Sequence, residues 1–488
     1  MTTDDTATGG ASPFDDLPDD CVLVPAGSAQ RGLWLTQALD PASPAYLITH
    51  AFELRGELDV AALAEALDGL VARHEALRTG FLGHGEEIHQ VIHDVVPPVL
   101  RVENAADEET ALAAIDRESG TPFDLTRPAL LRVLVLRLGA GRHMLSVALH
   151  HIVVEGVSVE LLWTELEVLY RAACVGAPAL LPELPLQYAD YAAWEHEWIA
   201  GTDYAGQLGF WREELAGAPA AIDLPAPAAG DRPSWQGGTH AVELTEAETA
   251  SVLAFARDHQ ATPFMVLLMV FGGVLHRWSG QPDVVVGTPV TLRDRPGLEH
   301  VVGVLINSLP LRLRWQDNPT GATALDRVRE TTGNALARKR VPFDHLVAAL
   351  PGLRAPGRDP VMQVMFAYGA EDGGAVAVNG LRLRGLAVSR LDLRAGTAKF
   401  DLSLDCVLTG GRLRCVLEWS DQRFDREFAE IFAEHLVVAL RHVVAHDGDR
   451  VGDWPLPCED EEQESDWPAG FLHEELTSWT VLATEGNR

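Results

Sequence analysis

Lysine is almost absent from this chain. Of 38 basic residues only Lys339 and Lys399 are lysines, and with heavy use of Ala and Gly this bias reads as G+C-rich coding rather than as a functional signal. Cysteine is scarce as well. Five residues, an odd number with no C-x-x-C spacing, argue against a disulfide framework and a zinc ribbon, and favour a reducing, cytoplasmic setting. No run of eighteen uncharged apolar residues exists, so no transmembrane helix and no membrane partner are expected. The opening MTTDDTATGGASPFDDLPDD has neither the basic nor the apolar region of a secretory signal. Positive charge is outnumbered, 38 against 71, for a formal charge of −33. Residues 1–20 carry six acids and no base, and residues 451–488 carry ten acids and one base. Such a surface repels a polyanion, which excludes general nucleic-acid binding. What is present is length and apolar material. The 488 residues, 47% hydrophobic and 22% charged, suffice for two to four globular domains.

Hydrophobic periodicity places the elements. A strand-like run at Ala45–Leu54 precedes Gly56 and a helix that Asp59 can cap, with Leu63, Leu67, Leu70 and Val71 on one face. Ile88–Leu100 reads as strand interrupted by Pro97-Pro98. A helix is expected over Asp107–Ser119, ending at Gly120, followed by strands Leu130–Leu138 and His143–Leu149 about a tight turn. Val159, Leu162, Trp163, Leu166, Leu169 and Tyr170 mark another helix, with Ser158 as its candidate N-cap. In the second half, strand Thr239–Leu244 leads into the capping-box pair Thr245 and Glu248. Thr262-Pro263 opens a further helix, Val284–Val290 is an apolar strand, and Thr409-Gly410-Gly411 marks a hairpin between Asp401–Cys406 and Arg412–Trp419. Helix Glu427–Val444 closes the body.

The expected organisation is therefore an acidic, mobile N-terminus (1–20), an N-terminal lobe (21–215), an Ala/Pro/Gly-rich linker (216–238), a C-terminal lobe (239–455) and an acidic tail (456–488). Both lobes mix helices and strands as α/β (α+β sandwich) units of similar size, and no short repeat is visible.

The densest reactive cluster is His150-His151-Ile152-Val153-Val154-Glu155-Gly156, where a strand ends and a helix begins. Loops at strand ends commonly expose catalytic groups. If extended geometry persists through His151, neighbouring side chains point to opposite faces, so only one imidazole faces a cavity and the other is scaffold. That argues against a shared metal. The i, i+4 spacing of His151 and Glu155 lacks a third ligand, so no metal is expected. A buried Glu155 needs a cation, and Arg293, at the end of Val286–Leu292, is a plausible partner that spacing alone does not select from 36 arginines.

His150–Gly156 resembles the H-H-x-x-x-D-G motif of condensation domains of non-ribosomal peptide synthetases, members of the chloramphenicol-acetyltransferase-like superfamily. Further tracts of that family occur in order: Ser28–Trp34, Arg73–Phe81, Tyr188–Trp194, Gly287–Arg293 with Gly303–Asn307, Pro342-Phe343-Asp344, Gln363–Phe366 and Lys399–Leu402. The resemblance covers about residues 21–450. It implies two acetyltransferase-like subdomains in a V-shaped arrangement with a central tunnel. It implies transfer of an acyl or aminoacyl group from a carrier-protein phosphopantetheine thioester to an amine or alcohol. His151 would be the general base or would position the nucleophile, a role suited to an imidazole. Gly156 would admit the pantetheine arm and offer its N–H to the reacting carbonyl. His150 would be structural, Glu155 and Arg293 would brace the loop across the lobe interface, and Asn307 would line the tunnel or be structural. No cofactor is held permanently, since the arm comes with a peptidyl or acyl carrier protein. The other partner is a small-molecule or carrier-bound nucleophile.

Three departures stand out. Glu155 replaces the family's Asp, Lys339-Arg340 replace Q-D, and Arg358–Met362 follows R-x-P-L-F only loosely. No adenylation, carrier or thioesterase domain is visible, so a free-standing enzyme meeting its carrier in trans is expected, with docking through apolar contacts and a few arginines. The alternatives are a coenzyme A-dependent acyltransferase, an epimerising relative, and a catalytically silent carrier-docking or recruitment domain.

Overall fold

The computed structural model describes residues 20–84, 87–97, 99–225, 236–353, 361–370, 380–391, 398–456 and 480–482. In chain order these form β1 (Cys21–Pro25), α1 (Ser28–Leu39), β2 (Leu47–Arg55), α2 (Val60–Arg73), β3 (Thr79–His84), β4 (Glu87–His93), β5 (Leu100–Asn104), α3 (Glu108–Ser119), β6 (Leu131–Gly139), β7 (Arg142–His150), α4 (Gly156–Val175), α5 (Tyr188–Ile199) and α6 (Thr202–Glu214). They continue with β8 (Gly237–Glu243), α7 (Glu246–Asp258), α8 (Pro263–Ser279), β9 (Asp283–Thr291), β10 (Ile306–Arg314), α9 (Gly321–Leu336), α10 (Phe343–Ala349), β11 (Val364–Ala370), β12 (Ala387–Leu391), β13 (Leu402–Thr409), β14 (Arg412–Ser420), α11 (Arg426–Ala445) and β15 (Thr480–Leu482).

Local chemistry accounts for most starts and stops. The Asp59, Asp107, Thr262 and Asp425 side chains each accept a backbone N–H in the first turn of α2, α3, α8 and α11. Thr245 and Glu248 close a reciprocal capping box on α7. The β13–β14 turn needs positive φ at two successive residues, 56° and 79°, which Gly410 and Gly411 supply without a Cβ clash.

The chain divides into two compact units, each of mixed helix and sheet. The first comprises Met1–Ala200, Arg293–Leu305 and Asn379–Leu393. Its five-stranded sheet runs β12-β2-β7-β6-β5, and a smaller sheet runs β1-β4-β3. Strand β7 is covered on both faces, so Met144–His150 is a continuous buried run. Met144 packs with Ala111 and Ile115 of α3, whereas Leu145, Val147 and Leu149 pack with Leu63 and Leu67 of α2 and Leu162 and Leu166 of α4.

The second unit comprises Gly201–Leu292, Ile306–Val378 and Arg394–Arg488. Its sheet runs β10-β9-β11-β13-β14-β8-β15, with helices α7, α8, α9 and α11 packed on it. Val266–Leu275 of α8 is buried throughout, and Phe271 meets Phe366 and Phe432. Among the described residues no single helix is long and apolar enough to cross a membrane.

The division differs from the expected linker at 216–238. The units change over at Ala200/Gly201, and α6 goes with the second. Residues 216–225 also go with it: Ala218, Ile222 and Leu224 are buried, and Gln363 hydrogen-bonds to both Ala220 and Ile222. Two excursions, 293–305 and 379–393, return the later chain to the first unit. The rest of the linker (226–235), the N-terminal residues 1–19, most of the acidic tail, and Arg358–Pro360 lie outside the described residues.

Candidate active site

The site loop hangs from the end of β7. The extended geometry stops at His150, because Val153 N–H donates to the His150 carbonyl at 3.1 Å and closes a turn. The two imidazoles still diverge. His150 is fully buried, on the Met144 side of the strand. Its Nδ1 accepts the Ile152 N–H at 3.0 Å, so the proton is on Nε2, which faces Gln37 Oε1 at 3.5 Å. His151 is half-buried, and its backbone N–H donates to Tyr46 at 2.8 Å. Its Nδ1 lies 2.8 Å from the Val154 carbonyl. A carbonyl only accepts, so Nδ1 carries a proton, and in the neutral imidazole the lone pair is on Nε2. The loop's own backbone thus selects the tautomer with Nε2 as the basic nitrogen.

The rest of the loop fixes that imidazole. Ile152, Val153 and Val154 are each fully buried, which anchors the loop by three apolar side chains in a row. Gln30 of α1, also fully buried, donates to Gln90 at 3.1 Å and to the Ile152 carbonyl at 3.4 Å.

Glu155 is the N-cap of α4, not Ser158. Its Oε2 accepts the Val157 N–H at 2.8 Å, and the helix opens at Gly156, which is exposed. Its Oε1 accepts from Arg293 Nε at 3.0 Å and Nη2 at 2.6 Å. The extra methylene therefore does not break the pair, because one oxygen caps the helix while the other meets the guanidinium. Both side chains are about 5% exposed (6% and 4%). Arg293 also donates to the Leu298 carbonyl at 2.7 Å and to Ser158 Oγ at 2.8 Å. Ser158 Oγ in turn bonds both the N–H and the carbonyl of Gly303, at 3.1 and 2.8 Å. The pair was expected to brace the loop across the lobe interface; both residues belong to the first unit, where Arg293 and Gly303 of the excursion 293–305 bond to the start of α4.

Other motif tracts support this frame. Tyr188, at the start of α5, is buried against Gly303, where an added Cβ would lie 2.0 Å from its ring. Burial pushes its phenol well above the ordinary value. Glu195 Oε2 accepts the Ser28 N–H at 2.7 Å and so holds the start of α1. Glu165 accepts from Arg73 at 3.0 Å and lies 2.7 Å from His74 Nε2. Burial alone would raise its carboxyl, but these two partners outweigh it and hold it below the ordinary range.

Asn307 lies in the second unit. Its amide donates to the Lys339 and Val341 carbonyls at 2.8 and 2.7 Å, and its oxygen accepts the Phe343 N–H at 3.2 Å. Lys339 Nζ also donates to the Thr291 carbonyl at 2.7 Å. Asn307 thus clamps the 339–343 turn to β10, the structural role weighed against tunnel lining. A cavity of about 370 Å³ in this unit, lined by Phe210, Trp211 and Trp315 among others, contains none of the motif residues. Sequence reasoning missed Gln30 and Glu195 as loop and helix holders, and assigned Ser158 to the wrong task. Their partners are distant in sequence, and of the three only Gln30 lies in a motif tract.

Two mixed helix-and-sheet units, with an H-H-x-x-x-E-G loop at the end of a buried strand, define a condensation domain. The condensation-domain family model matches residues 23–464, and the chain belongs to that family, with its chloramphenicol-acetyltransferase-like fold. Over 455 residues it is 35% identical to a phosphinothricin tripeptide synthetase of Streptomyces viridochromogenes, covering 91% of this chain but only 41% of that synthetase. Among solved structures, the X-domain from teicoplanin biosynthesis, in complex with OxyB, matches with a TM-score of 0.82 at 29% identity, covering 90% of this chain and 96% of that one. The first condensation domain of the calcium-dependent antibiotic synthetase, in complex with a substrate analogue, matches with a TM-score of 0.72 at 25% identity, covering 89% and 100%.

Proposed function

We propose that this chain transfers an acyl or aminoacyl group from a carrier-protein phosphopantetheine thioester to an amine or alcohol, forming an amide or an ester. The observation that carries the reading is the bond from His151 Nδ1–H to the Val154 carbonyl, which leaves Nε2 as the basic nitrogen in the family's motif loop. Nε2 would hydrogen-bond to the nucleophile's N–H or O–H and take its proton as the nucleophile attacks the thioester carbonyl. The oxygen of the resulting tetrahedral adduct would meet the Gly156 N–H at the first turn of α4, where the helix dipole favours negative charge. Collapse of the adduct expels the pantetheine thiolate, which the imidazolium can reprotonate. His150 and the Glu155–Arg293 pair would hold the loop without touching substrate.

The test is to incubate the chain with an acyl-loaded carrier protein and a panel of amines and alcohols, following product by mass spectrometry. Carrier-dependent product is expected. The same acyl group on coenzyme A serves as a second donor, and faster turnover with it would replace the carrier by coenzyme A. A second reading, a silent recruitment domain, is favoured by the likeness to the X-domain solved with OxyB. Carrier binding without turnover of any donor would support it and overturn the first.

A further inference from the structure

We infer that Cys406 and Cys415 form a reversible dithiol/disulfide pair, a modification site in the second unit independent of the acyl-transfer reading. The two residues are direct partners in the β13–β14 register. Facing residues of an antiparallel pair have Cα atoms about 4.5–5.5 Å apart, within the range a disulfide spans. Both thiols turn to the same face of the hairpin, and their sulfurs are 3.1 Å apart. No backbone rearrangement is needed to join them.

The surroundings divide the labour. Cys406 is 1% exposed, and burial pushes its thiol well up, so it does not meet an oxidant first. Cys415 is half-buried. Both line a cavity of about 30 Å³ together with His240, Leu404, Leu417, Val437 and Leu440. That space suits a molecule of one or two water volumes, which points to hydrogen peroxide as the oxidant. Burial pulls the His240 imidazole in the same lining below its ordinary value.

The chemistry balances in two steps. The Cys415 sulfur attacks one peroxide oxygen; the O–O bond breaks, one water leaves, and Cys415 becomes a sulfenic acid. The Cys406 sulfur then attacks the sulfenic sulfur. The S–O bond breaks, the Cys406 proton departs with the hydroxyl as a second water, and the S–S bond forms. Two thiols are oxidised by two electrons in all, and peroxide is reduced to two waters.

The experiment uses the full chain, reduced and then exposed to hydrogen peroxide, alkylated and digested with trypsin. Cleavage after Lys399, Arg412, Arg414 and Arg423 puts the two cysteines on separate peptides, 400–412 and 415–423. The expected product is those peptides linked, two hydrogens lighter than their sum and separated again by a reductant. In Cys406→Ala the link disappears and Cys415 accumulates as a sulfenic acid that dimedone traps. Recovery of both cysteines as alkylated thiols from peroxide-treated wild type overturns the inference, as does capture of Cys415 by Cys21 or Cys174 in place of Cys406.

Discussion

His150 and His151 are adjacent, but their ring nitrogens meet different partners. In His150 Nδ1 accepts a loop N–H, and in His151 Nδ1 donates to a loop carbonyl, so the same side chain is set in opposite tautomers one residue apart. The contrast rests on where β7 stops, which also decides which imidazole is buried. Gly303 shows the same dependence on single atoms. A methyl there would lie 2.0 Å from the ring of Tyr188, which is 1% exposed and has no room to withdraw. Gly303→Ala should therefore destabilise the protein by about 1–3 kcal/mol in urea unfolding, an overpacking cost. An unchanged midpoint would show that the ring can yield.

At the scale of elements, the start of α4 concentrates the argument. Its cap, its ion pair and its hold on 293–305 all run through Glu155. Glu155→Gln would leave Arg293 buried without its countercharge, a loss of about 3–5 kcal/mol. The paired replacement Glu155→Leu with Arg293→Met should recover much of that loss in the same unfolding assay. A single variant as stable as wild type would remove the pair from the account. Much at this scale was legible in the sequence. Asp59 and Thr245 cap the helices they were expected to cap, and the Gly410-Gly411 hairpin forms, because caps and turns act within four residues. The α4 cap was misassigned for the opposite reason. Ser is the better intrinsic N-cap, but Arg293, 138 positions away, fixes Glu155 in that place and turns Ser158 to Gly303. The return of 293–305 to the first unit was equally invisible, since no local pattern marks a change of packing partner. The Arg293 pairing itself came from the family's motif order, not from spacing.

For the whole molecule, buried histidines set a pH dependence. His50 in the first unit and His435 in the second are each pulled down to about 4, chiefly by burial. An unfolded histidine titrates near 6.5, so between these values the unfolded chain binds more protons. Their contribution is complete above pH 6.5 and is lost as the pH falls towards 4. Glu418, pushed up to about 7 by burial, works in the opposite direction, so the informative quantity is a difference between proteins. His50→Leu should flatten the fall in Tm between pH 6.5 and 4 relative to wild type. An identical slope would mean that His50 is protonated in the folded state.

The proposed acyl transfer rests on His151 Nε2 as its base. The most direct test is the rate of product formation from an acyl-loaded carrier protein by wild type and by His151→Ala, with matched thermal unfolding to show that both are folded. The account predicts a fall of about 10²–10⁴-fold, and a folded His151→Ala that keeps the wild-type rate would contradict it.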